Sequence, residues 1–134
     1  MIAPGQLQLV LVTPEKTLLD EPVASLRFPL FDGQIGIFPS RAPLVGRLGY
    51  GELKIDGVGG EKRYFIDGGF VQVKGSVVSI LTSRSMPVED IDLTDAEEQL
   101  SSASSTVAKT DQEQALKDAE LQRARQLVKL GRRN

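Results

Sequence analysis

Two residue types that carry much of protein chemistry near neutral pH are missing from this chain: it has no cysteine and no histidine. Without cysteine there is no disulfide framework, no thiol nucleophile and no thiolate metal site. That absence fits a reducing compartment without requiring one. Without histidine, the commonest general base and the commonest metal ligand are both gone. Together the two absences weigh against an enzyme, leaving only carboxylate or lysine chemistry open. Tryptophan is also absent, and aromatics make up only 5% of the chain. The longest apolar run falls far short of the roughly 20 residues that span a bilayer. The opening segment MIAPGQLQLV has no basic region ahead of an apolar core, so no secretory signal is expected. The net charge of -2 exerts no overall pull toward nucleic acid or an anionic membrane. Any membrane association would run through a partner or a surface.

What is present is ordinary in amount and uneven in placement. The 134 residues suffice for one domain or a small domain with an appendage. A hydrophobic fraction of 40% and a charged fraction of 25% are globular values. Near Met86-Pro87 the composition changes. Twelve of the thirteen glycines, all five phenylalanines and both tyrosines lie before it. After it come SSASS, many Gln and Glu, and few β-branched residues. This predicts two domains, 1–86 and 87–134.

The first part reads as strands. LQLVLVT (Leu7–Thr13) and KTLLD flank a turn at Pro14-Glu15. VASLRFP (Val23–Pro29) supplies Val23, Leu26 and Phe28 to the core. ELKID alternates through Leu53 and Ile55, EKRYFID follows the turn GVGG, GFVQVKG places Phe70 near the interior with Val71 and Val73, and SVVSILT closes the series. Short strands separated by Gly-rich turns predict an antiparallel β-sandwich or barrel. DGVGGE and DGGF offer the positive φ that tight hairpins need. DGVGGE lacks the spacing of a phosphate loop and precedes a strand, so it reads as a solvent-exposed hairpin.

The second part reads as a helical hairpin. Thr94-x-x-Glu97 and Thr110-x-x-Glu113 fit capping boxes, which places a turn near Lys109-Thr110. Ala96, Leu100, Ala103 and Val107 recur at helical spacing. The second helix is expected to reach Leu130 and stop at Gly131. Its apolar positions, among them Leu116, Leu121, Leu127 and Val128, spread around the axis. Small side chains make the buried area thin. At about 25 cal/mol per Å² such a pair is marginal by itself and leans on the sandwich, on a partner, or on each in turn.

One stretch resists a catalytic reading. Asp32 to Leu53, DGQIGIFPSRAPLVGRLGYGEL, is apolar and punctuated by five glycines and two prolines. Ile35 and Ile37 fit the core by strand alternation, and Ile37 is also kept as a docking candidate. A partner surface is the reading for Phe38, Pro39, Arg41, Pro43 and Leu44; Gln34 joins them only through the resemblance given below. Pro39 and Pro43 stiffen the backbone before binding, which lowers the ordering cost.

The order GQIGIFPSRAPLVGRL, IDGGFVQV, EDID and an alanine-rich helical hairpin resembles the epsilon subunit of F-type ATP synthase across essentially the whole chain. The strongest match is G-x-x-G-I-x-P-x-x-A-P-L, Gly33 to Leu44, followed by GGF at Gly68–Phe70. The resemblance implies a non-catalytic rotor subunit without a cofactor, on the central stalk of a proton-translocating complex. It implies a sandwich that packs on the gamma subunit and on the polar loops of the membrane ring. It implies a peripheral membrane location, on the cytoplasmic side in a bacterium, with no membrane insertion and no nucleic acid. The helical tail would lie folded or extend up the stalk and restrain ATP hydrolysis. Two positions depart from the family: Arg41 stands where a histidine is common, and Gln34 where an acid is frequent.

The tail carries two further expectations. Lys117, Arg123, Arg125 and Lys129, with Arg132 and Arg133, make the last helix basic. By resemblance they meet an acidic loop on the catalytic beta subunits; equally, basic residues favour a helix C-terminus. Some family members bind ATP between these helices through an I/L-D-x-x-R-A motif. Here that stretch is Ile91-Asp92-Leu93-Thr94-Asp95-Ala96, with Arg123 as the remaining cation, and Asp95 stands where the arginine belongs. An anion beside a triphosphate is repulsive, so weak or absent ATP binding is expected. Glu89, Asp90 and Asp92 read as acids favouring a helix start and not as a metal site. The rival to the rotor reading is a stand-alone β-sandwich binding module whose helical tail self-associates.

Overall fold

The computed structural model describes residues 6–39 and 43–133. They form two compact units that divide between Pro87 and Val88.

The first unit is built from seven strands: β1 (Leu7–Val12), β2 (Thr17–Leu30), β3 (Gly33–Ile37), β4 (Leu44–Gly57), β5 (Gly60–Lys74), β6 (Val77–Leu81) and β7 (Ser85–Pro87). The order β1-β6-β5-β4-β2-β3, with β1 also paired to β2, closes the sheet on itself. β3 extends from β2, and β7 adds to β5. All pairs are antiparallel except β1 with β6. Closure removes most of the exposed edge that an open sheet would leave to aggregate. Alternating side chains from all layers fill the middle: Leu7, Leu9, Leu11, Val23, Leu26, Phe28, Leu53, Ile55, Val71, Val73, Val78 and Ile80 are buried together.

Strands expected as separate pieces are continuous. KTLLD and VASLRFP form one 14-residue strand, and EKRYFID with GFVQVKG form one of 15. The turn at Pro14-Glu15 and the Gly57–Gly60 hairpin lie where the sequence puts them. Asp67-Gly68-Gly69, by contrast, is no hairpin. It is a distortion inside β5, with φ of +66° at Gly68 and +112° at Gly69. There β5 changes neighbour, from β7 before it to β6 after it. The chain past β6 is tied to this point. The Asp67 amide donates to Thr82 Oγ1 at 3.0 Å, Ser83 Oγ donates to the Asp67 carbonyl at 2.8 Å, and Ser85 Oγ donates to the Phe65 carbonyl at 2.6 Å.

The second unit holds a 3-10 turn (Val88–Asp90), α1 (Leu93–Ser105) and α2 (Asp111–Arg132). α1 starts two residues before the expected capping box. Asp92 is the N-cap, and its carboxylate accepts from the Asp95 amide at 3.2 Å. An aspartate there caps as well as threonine does and adds a charge favourable to the helix's positive end. Of the second box, the Thr110 half forms and the return bond is displaced by one residue. Thr110 Oγ1 accepts from the Glu113 amide, and the Glu113 carboxylate reaches back to the Lys109 amide at 2.6 Å. Gly131 does not terminate α2, which runs on to Arg132. A Cβ at Gly131 would stand 3.3 Å from both Ile91 Cγ2 and Leu93 Cδ1. The missing side chain serves close approach to the start of α1, not a left-handed cap. Ala96, Ala103, Ala124, Leu127, Val128 and Leu130 are buried, while Val107 and Leu116 are exposed.

Candidate functional site

The expected docking residues divide on inspection. Gln34 and Phe38 project from the outer side of the β2–β3 hairpin, since Ile35 and Ile37 take its inner side opposite Phe28 and Leu26. Phe38 is 60% exposed. Its ring lies over Gly36, where a Cβ would meet Phe38 Cε2 at 3.3 Å. Pro43 is exposed, and Pro39 is half-buried. Leu44 is half-buried and packs against the core. Ile37 is a correction: it is fully buried and presents nothing to a partner, because strand alternation turns it inward. Arg41 lies outside the described residues.

A second surface was missed. Phe70 is 62% exposed and is not part of the interior. Outward alternation along β5 runs Phe70, Gln72, Lys74, while Val71 and Val73 go inward. The polar residues at Gln72 and Lys74 were the available signal, since period two places Phe70 with them. Directly across from Phe70 sit Arg47 on β4 and Leu81 on β6. Val45, 76% exposed, is two residues from Arg47 and shares its face. Val12 of β1 is aligned with Leu81. Beside Leu81 the surface dips into a shallow apolar groove of about 250 Å³ lined by Val12, Thr13, Pro14 and Leu81. At the other end of the row, Phe31 is 71% exposed, with the Arg47 guanidinium 4.8 Å from its ring centre. The row Phe31, Arg47, Phe70, Leu81, Val12 crosses four strands plus the β2–β3 turn. Scattered exposed apolar residues are normal on any surface; a contiguous band of this kind marks an interaction site.

The helical unit separates its cations. Arg125 and Lys129, with Arg132, line one face of α2 around a cleft of about 400 Å³ floored by Leu100 and Val128. From Leu121 to Arg132 the helix carries four cations and no acid. Lys117 lies two turns earlier and about a quarter turn round the axis from them by helical geometry. Arg123 does not join them. It lines a different cleft of about 390 Å³ between α1 and α2, together with Asp95, Glu98, Gln99, Ser102 and Glu120.

By the resemblance, a nucleotide would enter between these two helices, where this cleft lies, and the lining does not suit one. Three carboxylates face a single guanidinium. Asp92 is occupied as the α1 cap, and neither it nor Ile91 lines the cleft. A polyphosphate placed there would meet net repulsion. Titrating ATP into the full chain should therefore give no binding heat in the micromolar range; a saturable micromolar isotherm would contradict the geometry.

Residues 6–88 match the family described as ATP synthase, Delta/Epsilon chain, beta-sandwich domain. The chain is 42% identical over 126 residues to the ATP synthase epsilon chain of Rhodopirellula baltica, covering 94% of this chain and 98% of that one. It is 31% identical over 125 residues to the sodium ion specific ATP synthase epsilon chain of Propionigenium modestum, covering 92% and 91%. Among solved structures it resembles a chain of the Euglena gracilis mitochondrial ATP synthase determined as OSCP, F1 and c-ring. There the TM-score is 0.82 and the identity 27%, over 95% of this chain and 82% of that one.

Proposed function

The chain belongs to the ATP synthase epsilon chain family, a non-catalytic subunit of the central stalk, and from that premise we propose how it grips the stalk. The apolar row across β4, β5 and β6 docks on the gamma subunit. The turn carrying Gln34, Phe38 and Pro43, with Arg41, meets the polar loops of the membrane ring. The observation that carries this reading is the contiguous outward band of Val45, Phe70 and Leu81.

Stiffness supports it. Torque coupling needs a surface that does not deform when the shaft turns. A closed sheet filled by buried Leu, Ile, Val and Phe is such a body, and prolines at 39 and 43 bracket the ring-facing turn. No helix among the described residues is long and apolar enough to cross a membrane. Attachment to the membrane-bound complex through protein surfaces accounts for that, on the cytoplasmic side in a bacterium.

The sandwich, residues 1–86, is the coupling domain, and residues 87–134 are the regulatory one. The cations of α2 at Lys117, Arg125 and Lys129 face an acidic loop of the catalytic beta subunits when the tail extends, by charge complementarity. α1 buries chiefly alanines, Ala96 and Ala103, so little apolar area opposes its rearrangement. The full chain should co-elute with a gamma-containing F1 subcomplex that lacks its epsilon chain; separate elution of the two would end the docking reading. Truncation after Asp92 should raise the ATP hydrolysis rate of the reconstituted complex severalfold while leaving co-elution intact. An unchanged rate would remove the inhibitory role of the tail.

A further inference from the structure

Within the outward apolar row, one charged residue is out of keeping. Arg47 stands between Val45, Phe70 and Phe31, and among the described residues it makes no ion pair. The other charges on this side are distant from it in the register. Lys74 is four residues past Phe70 on β5, and Asp20 on β2 accepts a hydrogen bond from Gln8. Asp32, next to Phe31 in the turn, forms no ion pair with it.

The guanidinium is nevertheless held. It lies over the Phe31 ring at 4.8 Å, a cation–π contact. The Phe31 amide donates to the Arg47 carbonyl at 2.8 Å, so backbone and side chain tie the same two residues together. An arginine on a free surface ordinarily sweeps through many rotamers; the ring contact favours one of them here, and among the described residues no carboxylate pairs with the guanidinium. When a partner covers Val45 and Phe70, water leaves the guanidinium as well. A desolvated, unpaired cation works against the gain from the surrounding apolar contact. The interface forms well only if the incoming surface supplies an acceptor with matching charge.

We propose that the stalk surface covering this face presents a carboxylate to Arg47, and that the Phe31-stacked guanidinium sets the register of docking. The inference rests on the docking reading given above. A planar guanidinium fits a carboxylate by two parallel hydrogen bonds, which fixes orientation as well as distance. An apolar band alone would tolerate sliding along its length. One oriented pair among the apolar contacts removes that freedom, as a rotating coupling element requires.

The test measures the affinity of full-length variants for the gamma-containing F1 subcomplex lacking its epsilon chain, at low and high salt. Arg47→Met keeps the apolar stem and should bind about tenfold more weakly, with a flatter salt dependence than the parent. Arg47→Glu should bind about 100-fold more weakly, because it sets two carboxylates against each other. An Asp or Glu to Lys change at the facing gamma position should restore the Arg47→Glu variant. Phe70→Asp reports on the docking reading itself. If Phe70→Asp abolishes binding while both Arg47 variants bind like the parent, the carboxylate is refuted and the docking stands. Equal weakening by Met and Glu would mean that Arg47 only packs, which also refutes the carboxylate. If Phe70→Asp binds like the parent, both fall. Arg47 is exposed, so thermal unfolding of each variant should match the parent.

Discussion

Phe70→Asp should weaken capture of the chain by the gamma-containing subcomplex at least about 100-fold, with the sandwich still folded. Burying a phenylalanine ring contributes about 1.5–3 kcal/mol, and an uncompensated carboxylate placed in its stead adds several more against binding. Each 1.4 kcal/mol is about tenfold. Because Phe70 is mostly exposed in the free chain, aspartate there meets water and costs the fold little. Val58→Asp is the matched control. Val58 is also an exposed apolar residue, but it sits at the tip of the β4–β5 hairpin, between Gly57 and Gly60. Val45 pairs near the far end of the same two strands, opposite Gln72. At roughly 3.3 Å per residue the two sites are about 40 Å apart along the ribbon. Affinity unchanged in Val58→Asp and lost in Phe70→Asp, read by co-elution and thermal unfolding together, locates the contact.

Gly69→Ala should cost the sandwich about 4 kcal/mol and lower its melting temperature by about 15 °C or more. Two penalties add there. A non-glycine residue at φ +112° is strained. Its Cβ would also fall far inside van der Waals contact with the Leu81 carbonyl oxygen and 2.9 Å from Thr82 Cα, so backbone, not a flexible side-chain end, would have to move. Moving it would also shift the Thr82 and Ser83 hydroxyls, which hydrogen-bond the Asp67 amide and carbonyl. Gly75→Ala makes the comparison. It has φ +61° but nothing within 4 Å of the added atom, so only the left-handed penalty of about 1 kcal/mol applies. Equal melting temperatures for the two variants would show that the close approach to β6 carries no weight.

These two residues adjoin, and the sequence made only one of them legible. The glycines of DGGF announced an unusual backbone. They did not say whether the chain reverses there or kinks and continues, because both demand positive φ. The answer depends on which strands pair on either side, a long-range fact. Phe70 was misplaced for a related reason: an aromatic at the start of a short strand reads as core until the polar period through Gln72 and Lys74 is counted. Where alternation was clean, as at Leu53 and Ile55 or Val23, Leu26 and Phe28, the interior was correctly drawn. The helices divide the same way. Thr110 and Glu113 cap as their spacing implies, whereas Thr94 lost its place to Asp92, an equally competent cap two residues away. Gly131 looked like a terminator and is instead a contact point, a role visible only once Ile91 and Leu93 are brought beside it. The setting of Arg47 is invisible in the sequence, because its meaning depends on Phe31 and Phe70 flanking it.

The absence of cysteine from the natural sequence offers the most direct measurement. Val45→Cys and Val58→Cys each introduce the chain's single thiol, and each can be labelled with a maleimide before and after assembly into the F1 subcomplex. Docking through the outward apolar row predicts that Cys at position 45 is labelled readily in the free chain and strongly protected once assembled. At position 58 it should label equally in both. Full labelling at position 45 in the assembled complex would contradict the account.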